Sequence, residues 1–322
     1  MLFSHKFELA YFKIHIRVLT ELRLPYFKGA LLRGSFGKHF RQAVCIQPAV
    51  KCEDCICRQT CSYAFIFEST RLTDTGSWQA SHDPHPFVLE PPLTSKRFFR
   101  PGEEFDVGLL LVGSGIDYLP HFVIAFENMG INGIGAGRGK FELISVTADT
   151  LGQDIIVYQG QNRSFVCPVP RIKTGDFNGW NFHSNLVGLN FVTPVRLQSK
   201  GRILHSDITF PIIIRAIMRR FSWLSSLYCD DLPVIPYAEI LQNASAVSTA
   251  FSEIRWSSFE HYSYRQKRTI QLGGMVGKKV FQGDLSNYLP LLKLAEYLHI
   301  GKNTAFGLGK ILIEEEKAEA YS

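Results

Sequence analysis

The sequence predicts an α+β protein in which one βαββαβ arrangement occurs twice. The segments "LPHFVIAFENMGINGIGAGRGKFELI", residues 119–144, and "LPLLKLAEYLHIGKNTAFGLGKILIE", residues 289–314, share one order of features. Each segment begins with Leu-Pro and continues with an amphipathic helix, a glycine-rich loop, a Gly-Lys pair and an apolar strand. Apolar residues also alternate in "FELAYFKIHIRVL" and "LVGLNFVTPVRLQ", one in each half, as expected of half-buried strands. These patterns indicate an internal duplication.

In the first half, a helix is predicted directly after the first strand. The segment "ALLRGSFGKHFRQAVC" places Leu31, Leu32, Phe36 and Phe40 at helical spacing. A loop-like insertion, "TDTGSWQASHDPHPFVLEPPLTSKRFFRPG", follows later in this half. Residues 119–144 then supply the second helix, the first glycine loop and the last strand.

The second half repeats this order. Its strand is followed by "FPIIIRAIMRRFSWLSSLYC", a helix that Pro211 opens, and by a hairpin of "IRWSSFEHYSYRQ" and "RTIQLGGMVGKKVFQ". With residues 289–314 this completes βαββαβ, the order of the ferredoxin-like unit. We therefore expect tandem ferredoxin-like domains with glycine-rich loops at 1–150 and 185–322. The connector, 151–184, is rich in Gly, Asn, Gln and Pro.

The composition is that of a globular protein with a basic surplus. The 322 residues are 46% hydrophobic, enough for two domains, and 35 Lys and Arg against 29 Asp and Glu give a net charge of +6. This surplus favours an anionic partner. Charged residues interrupt the first apolar stretch, and no run is long enough to span a bilayer, so we expect a cytoplasmic protein without membrane association.

Five of the seven cysteines are crowded into "CIQPAVKCEDCICRQTC". Cys52 and Cys55 form a CxxC pair, and Cys45 with Cys61 would complete a tetrahedral metal site, with Cys57 as a substitute. An odd number of cysteines, most of them in one cluster, is more typical of a metal site in a reducing compartment than of a disulfide framework. Structural zinc is the leading prediction and an iron–sulfur cluster the alternative.

The glycine loops hold more glycine than a tight turn needs. Backbone N–H groups left uncovered in series would form an anion site for phosphate, whereas the alternative is that the loops are only turns. Two loops in equivalent positions favour the phosphate site. It would involve Gly301, Gly307, Gly309 and Lys302 in the second loop, and Arg138 in the first.

Several of these segments together resemble a known family. "GKNTAFGLGKI" preceded by "LPLLKLAEYLHI", with "LRGSFGKHFR" and "HYSYRQKRTIQLGGMVG", is similar to the RAMP superfamily of CRISPR-associated proteins, in particular the endoribonucleases that process precursor CRISPR RNA. The resemblance covers nearly the whole chain. It implies binding of CRISPR repeat RNA and metal-independent cleavage that leaves 2′,3′-cyclic phosphate and 5′-hydroxyl ends. A non-catalytic RAMP-fold subunit that binds CRISPR RNA within an effector complex is the alternative.

Cleavage of RNA without metal requires a base, an acid and a cation, and histidine suits the first two roles. Members of the resembled family place an active histidine in or just before the first helix, which implies that role for His39. The alternative is that His39 lines a helix face. Tyr26, which precedes the helix, could orient the base, and Lys302 could meet a phosphate.

RNA contacts are expected from basic residues in both halves. Each of these contacts has an alternative. His299 could interact with the helix dipole, and some of the arginines in "IIIRAIMRRF" could pair with Asp230 or Asp231. The predicted hairpin could simply be solvated. Tyr262 and Tyr264 would offer base stacking beside the hairpin cations. The predicted RNA-binding side chains are Arg33, Lys38, Arg41, Arg138, Arg215, Arg219, Arg265, Lys267, Arg268, Lys278 and His299.

Overall fold

The computed structural model describes residues 6–68, 70–72, 78–80, 83–180, 182, 184–199, 201–231, 233–263 and 268–317. The chain divides into two compact units. The N-terminal unit comprises the described residues of Glu8–Ile172, and the C-terminal unit comprises Lys6, Phe7 and the described residues from Lys173 onward.

In its described residues, the N-terminal unit contains three α-helices and most of the strands. Its elements are β1 (Glu8–Val18), β2 (Leu22–Arg23), α1 (Lys28–Val44), α2 (Ser62–Phe67), β3 (Thr70–Leu72), β4 (Trp78–Ala80), β5 (Phe87–Glu90), β6 (Phe98–Phe99), β7 (Glu104–Val112), α3 (Leu119–Asn132), β8 (Phe141–Asp149), β9 (Asp154–Gln159) and β10 (Ser164–Phe165), with β11 (Ile172–Lys173) at its end.

The main sheet of this unit has the order β10-β9-β8-β1-β7-β5. Strands β1, β5, β7 and β8 with helices α1 and α3 follow the chain order βαββαβ, and their sheet order is that of the ferredoxin-like fold. Strand β9 pairs antiparallel with β8, so part of the segment predicted as a connector extends this sheet.

Aromatic packing holds α1 and α3 on one face of the sheet. The ring of Phe36 on α1 stacks on Phe122 of α3 with centroids 4.8 Å apart, and it also contacts Phe67 and Phe87. In β1, buried residues alternate with half-exposed ones. Because alternate strand residues point to opposite faces, the polar residues of β1 lie on the other face of the sheet.

The C-terminal unit contains β12 (Leu186–Val195), β13 (Gln198–Ser199), β14 (Arg202–Ile203), α4 (Phe210–Tyr228), α5 (Tyr237–Ala244), β15 (Ser248–Ser263), β16 (Arg268–Gln282), α6 (Leu289–Leu298) and β17 (Ile311–Glu315). Its sheet order, β15-β16-β12-β17, is again ferredoxin-like, with α4 and α6 as the two helices. The prediction of two ferredoxin-like domains is confirmed. Pro211 stands in the first turn of α4, where its missing N–H costs nothing.

A compact apolar core anchors α4 in this unit. Phe210 packs against Phe281 of β16 and Tyr288, with both pairs of ring centroids 5.1 Å apart. Within the described ranges, none of the helices is long and apolar enough to cross a membrane.

Candidate nucleic-acid interface

The first glycine loop, residues 133–140, joins α3 to β8 and is closed by backbone hydrogen bonds. Ile134 donates its N–H to the carbonyl of Gly139 at 3.0 Å, and Ala136 donates to the carbonyl of Arg23 at 3.2 Å. The backbone N–H groups of Ile134 and Ala136 are therefore already hydrogen-bonded within the protein. Arg138 and Lys140 are exposed on this loop.

The second glycine loop, residues 299–310, joins α6 to β17 and has the same bonds. Ile300 donates to the carbonyl of Gly309 at 2.9 Å, and Lys302 donates its N–H to the carbonyl of Arg196 at 3.1 Å. The side chain of Lys302 is exposed. The duplication seen in the sequence therefore includes the hydrogen bonds that close each loop.

The glycines of the second loop are required by its backbone. Gly301 and Gly309 have φ of +87° and +83°, a region that favours glycine. A Cβ at Gly301 would lie 2.5 Å from the carbonyl oxygen of Arg196, and one at Gly309 would clash with the carbonyl of Ile300. Gly307, with φ of +79°, ends a short 3-10 turn, and both Gly307 and Gly309 are buried.

The loop does not present the row of uncovered N–H groups that the sequence suggested. The N–H groups of Ile300, Lys302, Gly307 and Gly309 all donate to carbonyl groups of the protein. What this loop offers to an anion is the cationic side chain of Lys302 rather than a backbone cradle.

His299, predicted to contact RNA, is fully buried. Its Nδ1 lies 2.9 Å from the carbonyl oxygen of Leu308 and donates to it. The imidazole ring therefore links the two sides of the loop by a hydrogen bond. Because the ring is buried in this conformation, a ligand cannot contact it.

His39 lies on α1 with a side chain that is only 4% exposed. Its Nδ1 is 2.9 Å from the carbonyl oxygen of Ser35. Because a carbonyl only accepts hydrogen bonds, Nδ1 carries the hydrogen, and Nε2 is the nitrogen that can take a proton.

Tyr26 is not near His39. Tyr26 is 74% exposed and precedes α1, whereas His39 lies about 16 Å along the helix axis from Lys28, the first helical residue. Groups that act on one bond must all lie within hydrogen-bond reach of it, so the structure does not bring these two together. Lys28 itself is buried and donates to the carbonyl of Thr94 at 2.6 Å; its pKa is lowered by burial and, secondarily, by Arg97.

The two arginines of α1 are used in packing. The guanidinium carbon of Arg33 lies 4.6 Å from the ring centroid of Phe67. Arg41 donates to the carbonyls of Pro48 and Val50, at 3.4 and 3.3 Å, and so holds the cysteine-rich segment. Lys38 is exposed and is the α1 cation most accessible to RNA.

Helix α4 presents two of the predicted RNA contacts. Arg215 and Arg219 are exposed and, at i and i+4, share one side of the helix. The guanidinium of Arg219 lies 5.9 Å from the ring centroid of Trp223, which is 43% exposed. Cations and an aromatic ring are thus adjacent on the outer surface of α4.

On the hairpin of β15 and β16, one predicted RNA contact is already paired with carboxylates. Lys278 contacts Glu316 at 2.6 Å and Glu314 at 3.5 Å, so carboxylates already surround its ammonium group. Arg268 is exposed at the start of β16. Arg265 and Lys267 lie outside the described residues.

The predicted metal site gains no support. All seven cysteines are free thiols, and within the described part of the chain no group of three or more His, Cys, Asp or Glu side chains is arranged to hold a metal ion. The predicted ligands Cys45, Cys52, Cys55 and Cys61 are each half-buried. Burial raises the pKa of the Cys52 thiol.

Sequence reasoning missed His15, on the open face of the first sheet. Its Nδ1 lies 2.7 Å from Oδ1 of Asp106, and its Nε2 lies 3.1 Å from Oγ1 of Thr147. With Nδ1 donating to the carboxylate, Nε2 accepts from the hydroxyl of Thr147, so a substrate hydroxyl would have to displace that hydroxyl for Nε2 to act as a base. The alternation of β1 placed His15 on this face, but its partners depend on strand register.

Two family models together match most of the chain. Residues 7–168 match AF_1859_N, described as an N-terminal domain, and residues 189–311 match the CRISPR-associated endoribonuclease Cas6. An uncharacterized protein of Archaeoglobus fulgidus is 23% identical over 292 residues, which are 90% of this chain and 92% of that protein.

Solved structures share the fold at low identity. A Cas6 (TTHB231) product complex, whose protein is from Thermus thermophilus, has a TM-score of 0.56 and 13% identity over 95% of this chain and 99% of that one. A Cas6 (TTHA0078) product complex has a TM-score of 0.53 and 15% identity over 96% and 100%. A partial Cas6-RT-Cas1–Cas2 complex has a TM-score of 0.62 and 10% identity over 99% of this chain, which spans only 48% of that one. Over residues 7–168, half of its length, the chain belongs to the family of the AF_1859_N domain, and over residues 189–311 it is similar to the CRISPR-associated endoribonuclease Cas6.

Proposed function

We propose that this chain binds CRISPR repeat RNA and cleaves precursor CRISPR RNA without a metal ion. The observation that carries the proposal is the match of residues 189–311 to the Cas6 endoribonuclease model, in a chain whose two units both have the ferredoxin-like fold. Related structures described as Cas6 product and substrate mimic complexes support it. Structures described as Cas6-RT-Cas1–Cas2 complexes favour assembly with other CRISPR proteins.

The proposed reaction is an internal transesterification. A base removes the proton of the 2′-hydroxyl, the 2′-oxygen attacks the adjacent phosphorus, and the 5′-oxygen leaves with a proton from an acid. The products are a 2′,3′-cyclic phosphate and a 5′-hydroxyl end, so no water is consumed.

We assign the role of general base to Nε2 of His39. The assignment rests on the position of His39 in α1 and on the hydrogen bond to Ser35, which places the ring hydrogen on Nδ1. Because His39 is only 4% exposed, part of the surrounding protein must move before RNA can reach Nε2. His15 is the second candidate, favoured by its hydrogen bond to Asp106 and by its side chain being 28% exposed. Lys302 is assigned a phosphate contact rather than a role in proton transfer.

Incubation of the purified chain with repeat RNA in excess EDTA tests the reaction. We expect one specific cut, with a cyclic phosphate on the upstream product that resists phosphatase until it is opened with acid. Binding without any cut would favour the non-catalytic subunit. Cleavage that disappears in EDTA and returns with a divalent cation would contradict the metal-independent mechanism.

Salt dependence tests the RNA-binding cations. Each phosphate neutralised on a single strand contributes about 0.7 to the slope of log affinity against log salt. We expect Arg215→Ala with Arg219→Ala to reduce this slope by about 1.4 if both contact phosphate. Lys51→Ala, which removes an exposed cation paired with Glu53, is the matched control and should leave the slope unchanged.

A further inference from the structure

The aromatic ring of Phe98 is exposed on the short β2–β6 strand pair of the N-terminal unit. Strand β6 pairs with β2 so that Phe99 faces Leu22 and Phe98 faces Arg23. Phe99 is buried against Phe105, with ring centroids 4.9 Å apart, whereas Phe98 is 59% exposed. The guanidinium carbon of Arg23 lies 5.9 Å from the centroid of the Phe98 ring. Because single exposed aromatic rings are common on protein surfaces, the residues around Phe98 determine whether it belongs to a binding site.

Phe98 forms one wall of a cleft with a volume of about 450 Å³. Pro101 adds a second apolar surface, and the charged lining consists of Lys96, Arg100, Glu21 and Glu103. The volume lies within the range of sites that hold small ligands. The cleft is therefore large enough for a planar group to lie on the exposed ring.

The charged groups of the cleft are held in place. Glu103 accepts from Nζ of Lys96 at 2.8 Å and from the backbone N–H of Arg100 at 2.8 Å. Glu21 pairs with Arg23 at 2.6 Å. The carboxylates of Glu103 and Glu21 therefore hold the ammonium group of Lys96 and the guanidinium of Arg23 near the ring, whereas Arg100 is bonded here through its backbone N–H.

The first glycine loop adds more positive charge to the same side of the unit. Its Ala136 bonds to the carbonyl of Arg23, and Lys140 donates its N–H to Thr20 Oγ1 at 2.8 Å, just before β2. The loop therefore brings the exposed side chains of Arg138 and Lys140 to the strand that carries Arg23. The lining itself is balanced in charge, and the positive excess comes from Arg23, Arg138 and Lys140 beside it.

We propose that this cleft, defined by Phe98, Lys96, Arg100 and Glu103, binds one unpaired nucleotide of the RNA. The base stacks on Phe98, and the adjoining phosphates contact the cations at the rim. Single-stranded RNA is bound by this combination of aromatic rings and basic side chains, and stacking tolerates any base. The inference rests on the proposed function, since it supplies a second place where the same RNA is held.

Fluorescence anisotropy with the full chain and a labelled, unstructured RNA oligonucleotide tests the cleft. Loss of one base–aromatic stack corresponds to about 1–3 kcal/mol, so Phe98→Ala should weaken binding about 5- to 150-fold. Phe98→Tyr keeps the ring and should retain affinity within about twofold. Phe165→Ala removes another exposed ring of the same unit, 36% exposed and outside the cleft, and should have no effect.

Ultraviolet crosslinking of the wild-type complex, followed by mass spectrometry, gives an independent position. We expect the RNA adduct within residues 96–101. Unchanged affinity of Phe98→Ala, or a crosslink only elsewhere, would overturn the proposal, and in that case a protein segment remains as the occupant to test. Wild-type cleavage of repeat RNA, measured in the same preparation, keeps the two hypotheses apart: the cleft can fail while cleavage persists, whereas absent binding and cleavage would refute the proposed function itself.

Discussion

The hydroxyl of Thr193 accepts a hydrogen bond from the backbone N–H of Lys310 at 2.9 Å, and Thr20 accepts the equivalent bond from Lys140 at 2.8 Å. The two bonds close the two glycine loops in the same way, but their surroundings differ. Thr193 is 6% exposed and also donates to the carbonyl of Gly307 at 2.8 Å, whereas Thr20 is exposed.

The first prediction follows from that difference in burial. Thr193→Val keeps the shape of the side chain but leaves the carbonyl of Gly307 and the N–H of Lys310 without the hydroxyl. Each buried polar group that loses its partner costs about 1–3 kcal/mol, so we expect a loss of about 2–4 kcal/mol in the free energy of unfolding. Urea unfolding followed by circular dichroism measures it.

Thr20→Val is the matched control for this change. Water can replace the lost hydroxyl at an exposed site, so the free energy of unfolding should change by about 0.5 kcal/mol or less. Equal effects of the two substitutions would show that burial of the second loop does not determine its stability.

A second prediction concerns the glycines of the loops. Gly309→Ala should destabilise the chain by more than the ~1–2 kcal/mol that a left-handed conformation costs, because the added Cβ meets the carbonyl of Ile300. Gly137→Ala, in the first loop, has a φ of +85° but open space around its Cβ, and should show only the conformational cost. Thermal unfolding of both variants compares them, and a Gly309→Ala melting temperature equal to that of Gly137→Ala would contradict the steric argument.

Arg220 supplies a third prediction, since it is the buried member of an adjacent arginine pair. Its Nε donates to the carbonyl of Leu298 at 2.5 Å, where α6 ends, and burial lowers its pKa to about 10, so it stays charged at neutral pH. Arg220→Ala leaves that carbonyl unpaired and a cavity behind, and should cost about 2–4 kcal/mol of unfolding free energy.

The neighbouring Arg219 is exposed and should show the opposite behaviour. Arg219→Ala should change stability by about 0.5 kcal/mol or less while weakening RNA binding at low salt. If Arg220→Ala instead lowered RNA affinity with unchanged unfolding, Arg220 would have to be counted among the ligand contacts.

The repeated architecture was predictable because it depends on local patterns. The Leu-Pro, helix, glycine loop and strand order appears twice in the sequence, and the structure places both copies in ferredoxin-like sheets. Helix α5 was not predicted, since its eight residues are too few for a clear period. The charge and glycine content of the loops were also visible in the sequence.

The burial and partners of the site residues were not predictable from those patterns. Whether His299 faces RNA or Leu308 depends on how the loop folds back on itself, and the pairing of His15 with Asp106 joins residues 91 positions apart through strand register. Likewise, five clustered cysteines show proximity in sequence, whereas a metal site requires converging thiolate sulfur atoms. Such relationships are set by tertiary structure.

The last prediction separates the two candidate bases of the N-terminal unit. If His39 takes the proton of the 2′-hydroxyl, His39→Ala should lower the single-turnover cleavage rate by about 10²–10⁴-fold with little change in RNA affinity. His15→Ala should then cleave at nearly the wild-type rate, although it loses hydrogen bonds to Asp106 and Thr147. Thermal unfolding of both variants shows whether each remains folded.

The reverse result, with His15→Ala inactive and His39→Ala active, would assign the base to His15. His39 would then be a buried residue that donates to the carbonyl of Ser35. In that case Asp106→Asn should also slow cleavage, since the carboxylate that accepts from Nδ1 and orients the imidazole would be lost.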